Sequence, residues 1–306
     1  MKAEALTVGY GELQLFKNLH LQLHAGELVC FMGPNGCGKS TLIKTLAGLL
    51  PPLSGTVPKK DEKNVAVVLT DRIHSQHMTV HELITYGRYP YLGWDLKLSA
   101  VDMNIISSSI GLVRIGDLAN KKINELSDGQ MQMVMIARAL VQDTPVMLLD
   151  EPTAHLDLNN RLEIMNLLRR LAKEKNKSIL LATHELDLAL QTADKVWLAY
   201  NNTINIGIPE DLVLDGSFDN VFQFKGYDLK TGKVQHETWR NTSLKIIGDG
   251  PTLLWTKNAF ERNGFAIEAD SKNIVEITNS GWNFEGKKFN KLKELVDFIA
   301  SKKFQL

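Results

Sequence analysis

Residues Gly33-Pro34-Asn35-Gly36-Cys37-Gly38-Lys39-Ser40 follow the spacing G-x-x-x-x-G-K-[ST]. That set of residue types suits a polyphosphate. Glycines let backbone N–H groups curl around phosphate oxygens that a Cβ would obstruct. The Lys39 ammonium can meet the terminal phosphates, and the Ser40 hydroxyl can ligate Mg2+ beside them. Further along, the apolar run Val146-Met147-Leu148-Leu149 ends in Asp150 and Glu151. A carboxylate at the end of a buried strand can hold Mg2+ through water. A second carboxylate one residue on can act as general base towards an attacking water. Alone, Glu151 would read as a surface acid at a helix start. Paired with the glycine loop, it points to hydrolysis of a phosphoanhydride.

These groups need elements to position them. Leu28–Met32 is a short apolar run, read as a buried strand that enters the glycine loop. Leu42, Ile43, Leu46 and Leu49 then repeat at helical spacing until Pro51-Pro52. The loop thus joins a strand to a helix N-terminus, whose dipole favours an anion. Further strands are expected at 65–69, 146–149, 178–182 and 195–199. Helices are expected over 129–142, about 159–174 and near 185–192. Residues 79–126 are mostly helical in pattern, interrupted by Pro90 and Gly93. Strands alternating with helices imply an α/β unit with a parallel sheet covered on both faces.

Composition bounds the rest. The 306 residues carry 35 basic and 35 acidic side chains, a formal net charge of +0. This argues against a dedicated polyanion binder, and no nucleic acid partner is expected. Cys30 and Cys37 are the two cysteines, and they suggest no disulfide framework; a reducing cytoplasm fits best. No signal-peptide pattern and no run of about 20 apolar residues is present. Residues 216–306 hold nine of the 11 Phe and three of the five Trp but none of the nine Met. With the turn-like Asp215-Gly216-Ser217, this sets an expected boundary between units 1–215 and 216–306.

Leu126-Ser127-Asp128-Gly129-Gln130 is a close variant of an LSGGQ signature. It lies between the glycine loop and the strand ending in Asp150. With these motifs in this order, residues 1–214 resemble the nucleotide-binding subunit of an ABC transporter. The resemblance implies a P-loop NTPase fold: a RecA-like parallel-sheet core, a helical signature subdomain and a reduced antiparallel β subdomain around 51–64. It implies ATP and Mg2+ as ligands. It also implies that Tyr10 stacks on the adenine, that Gly33 to Thr41 hold the phosphates, and that Ser40 and Asp150 serve Mg2+. Glu151 and His184 would be the catalytic pair. Asp157 lies in Thr153-Ala154-His155-Leu156-Asp157, which looks like the D-loop. Two copies would face each other head to tail. Ser127, Asp128, Gly129 and Gln130 of each would then act on the other copy's ATP, and one copy alone would hydrolyse poorly. By residue type alone, Tyr10 could be a strand-end residue and His184 a helix cap.

Thr79 to Leu83 and Gly87 to Trp94 resemble a stretch in ATPases of iron–siderophore, haem and cobalamin importers, where it contacts a polytopic membrane permease. A packed aromatic turn is the plainer reading. The resemblance implies a peripheral subunit on the cytoplasmic face of the bacterial inner membrane, serving a substrate-binding protein indirectly. The alternatives are another importer, an exporter or a non-transport ATP-dependent clamp. The family usually has Gln where this sequence has Thr70, and we expect Thr70 to replace it at Mg2+ or water. His74, His77 and His81 could suggest a metal site, but solvated loop histidines fit better. Met131 and Met133 are expected to pack within their helix. Cys37 is either a thiol activated by the helix start or a tolerated small residue. Residues 216–306 are read as a small α+β accessory domain with Phe and Trp as its core. Its role is expected to be regulatory or dimer-contacting.

Overall fold

The computed structural model describes residues 1–57, 64–69, 75–278 and 280–302. It divides into two compact units, Met1–Gln223 and Phe224–Leu306.

The first unit opens with an antiparallel hairpin, β1 (Lys2–Tyr10) and β2 (Leu13–Gln22). Then come β3 (Leu28–Met32), α1 (Lys39–Leu46) and β4 (Ser54–Thr56), which pairs antiparallel with β1. After β5 (Val65–Val68) the chain builds α2 (Val80–Thr85), a 3-10 turn over Tyr86–Tyr91, α3 (Ala100–Val113) and α4 (Asp128–Leu140). The α/β alternation resumes with β6 (Val146–Asp150), α5 (Leu158–Lys175), β7 (Ser178–Ala182), α6 (Leu186–Thr192) and β8 (Lys195–Tyr200). β9 (Thr203–Gly207), α7 (Pro209–Leu214) and α8 (Ser217–Phe222) complete the unit.

The main sheet has the order β5-β6-β7-β3-β8-β9, parallel except for β9. Every residue of β3, β6 and β7 is buried, as their largely apolar runs require of strands covered on both faces; the polar exceptions, Asp150 and Ser178, stand at strand ends. β3 lies between β7 and β8 although it precedes both. The connections therefore reverse beside it and leave a crevice at the carboxyl edge. A core of Phe16, Phe31, Leu42, Leu148, Leu180 and Trp197 joins the hairpin, α1 and the main sheet. Phe31 meets Phe16 at 6.0 Å and Trp197 at 6.4 Å between ring centroids.

Three expectations shift. α1 stops at Leu46, not Leu49, because Gly48 takes the left-handed conformation (φ 69°) before the prolines. Pro90 does not break the 79–94 stretch into loop; it sits inside the 3-10 turn, whose looser bonding tolerates a missing N–H. The unit boundary lies after Gln223, not after 215. α8 belongs with the first unit because its Phe218 is fully buried and α8 packs on α7 and β8.

The second unit contains a small pairing of β10 (Tyr227–Asp228) with β11 (Lys233–Val234). Its main sheet has the order β13-β12-β14-β15-β16. The strands are β12 (Ser243–Ile247), β13 (Ala266–Ile267), β14 (Ile274–Thr278), β15 (Gly281–Phe284) and β16 (Lys287–Phe289). Helices α9 (Gly250–Arg262) and α10 (Leu292–Ser301) pack on it. Leu244, Phe260, Phe265, Val275, Phe284, Leu295 and Ile299 form its core. The aromatic expectation holds for these Phe and fails for two Trp: Trp239 and Trp255 are 63% and 66% exposed. Trp282 is half-buried, and its indole N–H donates to Thr256 Oγ1 at 2.9 Å.

Candidate functional site

The glycine loop leaves the carboxyl end of β3 and enters α1 at Lys39. Gly38 caps the helix at φ 104°, a conformation that a side chain would strain. At Gly33 a Cβ would lie 2.7 Å from Ala199 Cβ, so only glycine lets the loop pass β8. Lys39 is 6% exposed, and its Nζ donates to the carbonyls of Gly33 (2.9 Å) and Pro34 (3.2 Å). Its charge is thus aimed into the loop's own bend. Pro34, Asn35 and Gly36 are exposed at the rim. The Tyr10 hydroxyl shares a 3.3 Å hydrogen bond with Thr41 Oγ1, while Tyr10 itself stays 52% exposed and presents its ring beside the loop.

Asp150 closes β6 at the same edge, 2% exposed. Burial pushes its carboxyl above the ordinary range, and the Glu151 charge adds to this. A hydrogen bond from Ser40 and the charges of Lys44 and Lys39 oppose it. Its Oδ1 is buried with no hydrogen-bond partner. A buried carboxylate oxygen left open beside a serine hydroxyl is a hard oxygen donor set. It fits a Mg2+ ion.

Glu151 takes φ 49°, a strained conformation for a residue with a Cβ, and its N–H donates to Ala182 O at 3.0 Å. Its Oε2 lies 3.6 Å from Nδ1 of His184, which follows β7. Motif spacing singled out Lys39, Ser40, Asp150 and Glu151, and the family resemblance added His184; the fold brings all five to one sheet edge.

The signature caps a different helix. Ser127 is the N-cap of α4 and its Oγ accepts from Gln130 N–H (3.2 Å). Gln130 Oε1 in turn accepts from Ser127 N–H (3.1 Å). This reciprocal capping box leaves the Ser127 hydroxyl proton and the Gln130 amide N–H groups for an outside acceptor. Asp128 is exposed in the first turn. Gly129 is buried, and a Cβ there would lie 2.9 Å from Asn160 Nδ2. Asn160 donates that amide to Asp157 Oδ2 (2.8 Å), while Asp157 caps α5. The signature and the Asp157 turn therefore abut in one chain. Spacing could not show this contact, because the residues lie on separate helices.

Burial pushes the Cys37 thiol up from its usual range, with Lys39 opposing. The direction favours the tolerated small residue over the activated thiol, with desolvation as its largest cause. Met133 is buried in α4 and Met131 half-buried. Thr70 and His74 lie outside the described residues. His77 and His81 line a groove of ≈ 730 Å³ with Met78, Tyr86, Tyr89 and Met103. Tyr89 is 62% exposed and Trp94 105%. Sequence reading missed what holds this stretch. Arg88 is buried, pairs with Asp102 (2.7 Å) and donates to Val141 O (2.8 Å). Its guanidinium covers the Tyr91 ring at 3.9 Å.

A glycine phosphate cradle, a strand-end acid pair and a helix-capping signature on one chain define a P-loop ATPase cassette. Residues 16–154 match the ABC transporter family, and residues 241–300 match the iron ABC transporter C-terminal domain. An uncharacterised ABC transporter ATP-binding protein of Methanocaldococcus jannaschii is 40% identical over 268 residues, covering 82% of this chain and 92% of that protein. The iron(3+)-hydroxamate import ATP-binding protein of Bacillus subtilis is 34% identical over 235 residues, 73% of this chain and 87% of that protein. A dimeric bacterial ABC transporter cassette superposes with a TM-score of 0.59 at 26% identity, over 68% of this chain and 98% of that one. The chain belongs to the ATP-binding proteins of ABC transporters and is an ATP hydrolase.

Proposed function

We propose that the chain energises uptake of an iron chelate, haem or cobalamin through a separate permease. The observation that carries this is the pairing, in one chain, of an ABC cassette with a second unit matching an iron transporter domain. The import ATPase of Bacillus subtilis supports the same reading. Residues 1–215 act as the cassette, extended by α8 to 223, and the remainder as an accessory regulatory unit.

In this reading Gly33 to Thr41 hold the triphosphate of ATP, and Lys39 turns its ammonium from the loop carbonyls to the terminal phosphates. Tyr10 stacks on the adenine. Ser40 and Asp150 would hold Mg2+, and the Thr70 hydroxyl would be a further donor by residue type. The ion would supply charge neutralisation to the triphosphate. Glu151 accepts the proton of the attacking water, and His184 donates a hydrogen bond to the γ-phosphate. Ser127, Asp128, Gly129 and Gln130 of a second copy complete the site head to tail, with Asp157 between the copies. The α4 N-terminus adds its dipole. The 79–94 stretch, with outward Tyr89 and Trp94, contacts the permease. The site of action is the cytoplasmic face of the bacterial inner membrane, reached as a peripheral subunit. No helix among the described residues is long and apolar enough to cross a membrane.

Reconstitution with a polytopic permease that co-purifies with the chain tests this. ATP-dependent accumulation of iron chelate in proteoliposomes is the expected result. ATPase activity that couples to a chemically unrelated solute, or no association with any polytopic protein, would overturn it.

A further inference from the structure

Arg161 lies in the first turn of α5, outside every motif described above. Its Nε donates to the carbonyl of Leu156 at 2.6 Å, immediately before Asp157. Its NH1 donates to Glu185 Oε2 at 2.7 Å. The pair is substantially sheltered, with side chains 31% and 16% exposed. Glu185 presents its other oxygen, Oε1, at 3.6 Å from His184 Nε2. On its far side His184 faces Glu151. One guanidinium thus spans the Asp157 turn and the His184 turn, two loops that leave different strands. A planar fork with separate donors can hold a backbone carbonyl and a carboxylate at once; an ammonium on a flexible stem does so poorly.

We infer that Arg161 is a positioning residue for hydrolysis. It fixes the Asp157 turn and the His184 turn in one register, and it occupies Glu185 so that His184 stays set towards Glu151 and the terminal phosphate. This rests on the assignment of Glu151 and His184 made above. Misplacement of one partner by about 1 Å can cost about 100-fold in rate, while binding of the triphosphate depends on other groups. The effect therefore falls on turnover.

The test measures kcat and KM for Mg2+-ATP on the full-length chain, with binding of a non-hydrolysable ATP analogue. Arg161→Ala is expected to lower kcat by about tenfold or more, with KM and analogue affinity within about twofold of wild type. Arg161→Lys should recover only part of the loss. The double variant Arg161→Ala/Glu185→Ala should be no worse than Arg161→Ala alone, because both changes break one unit. If Arg161→Ala folds poorly, Arg161→Gln keeps the bulk and one donor and answers the same question. Unchanged kcat, full rescue by lysine, additive losses, or a parallel loss of analogue affinity would each overturn the inference. His184→Ala serves as the control. If it leaves kcat intact, the assignment of the site has failed; if it abolishes turnover while Arg161→Ala does not, only the role of Arg161 has failed.

Discussion

In the cassette, β3, β6 and β7 are buried along their whole length, whereas in the second unit burial alternates along β14: Val275 is buried between exposed Ile274 and Glu276. The first sheet is enclosed on both faces, so polar groups can project only from its edge. There the chain collects Lys39, Asp150, Glu151 and His184. The second sheet carries α9 and α10 over its Phe-rich side, and its other side bears Lys245, Glu276, Asn283 and Lys288. Asn283 spends its amide on Glu276 (3.0 Å), across the strand pair. Enclosure on both faces concentrates charge in one desolvated crevice; coverage on one face spreads it thinly over a wet surface. That contrast matches an enzyme joined to an accessory unit.

The contrast can be broken or sharpened. Removing the cation, Lys39→Ala, is expected to lower ATP turnover by about 10³-fold or more, read as phosphate release. Retained activity would mean that the crevice is not the hydrolytic site. Hollowing the second core with Phe260→Ala should cost that unit about 3–5 kcal/mol. Calorimetry should show an early transition for residues 224–306, with basal ATP hydrolysis preserved; a joint collapse would show that the two units are one cooperative body. Alkylation of Cys37 should be slow near neutral pH and accelerate only above the usual thiol range. A raised thiol pKa leaves little thiolate below it, and fast labelling at pH 7 would contradict burial as the ruling factor. Trp94→Ala should change stability by less than about 0.5 kcal/mol, because its side chain is fully exposed. Loss of co-purification with a permease would locate the docking face, and unchanged association would exclude it.

Much of the cassette was legible in the residues. β3 and β7 span the expected strands residue for residue, because a strand buried on both faces is apolar along nearly all its length; only Ser178 at the start of β7 is polar. The glycine loop and Asp150-Glu151 declared themselves by type and spacing. Long-range side-chain pairs left no such trace. Arg161 meets Glu185 across 24 positions and Arg88 meets Val141 across 53, and neither pair belongs to a period or a motif. The two readings of Cys37 stayed open for a related reason: helix position is visible in sequence, but burial of the thiol is not. The second unit was legible as an α+β domain, not in its surface. Aromatic content suggested a core, yet Trp239 lies outside it because a close approach to Gly264 seats its ring there instead.

Glu151 is held at φ 49° against the preference of any residue with a Cβ, tethered through its N–H to Ala182 and followed by buried Pro152 and Thr153. The turn that carries Glu151 is thus under backbone strain, as are other non-glycine residues held at positive φ. Holding such a torsion costs about 1–3 kcal/mol, which the packing around Ala182, Pro152 and Thr153 must offset to keep Glu151 in place.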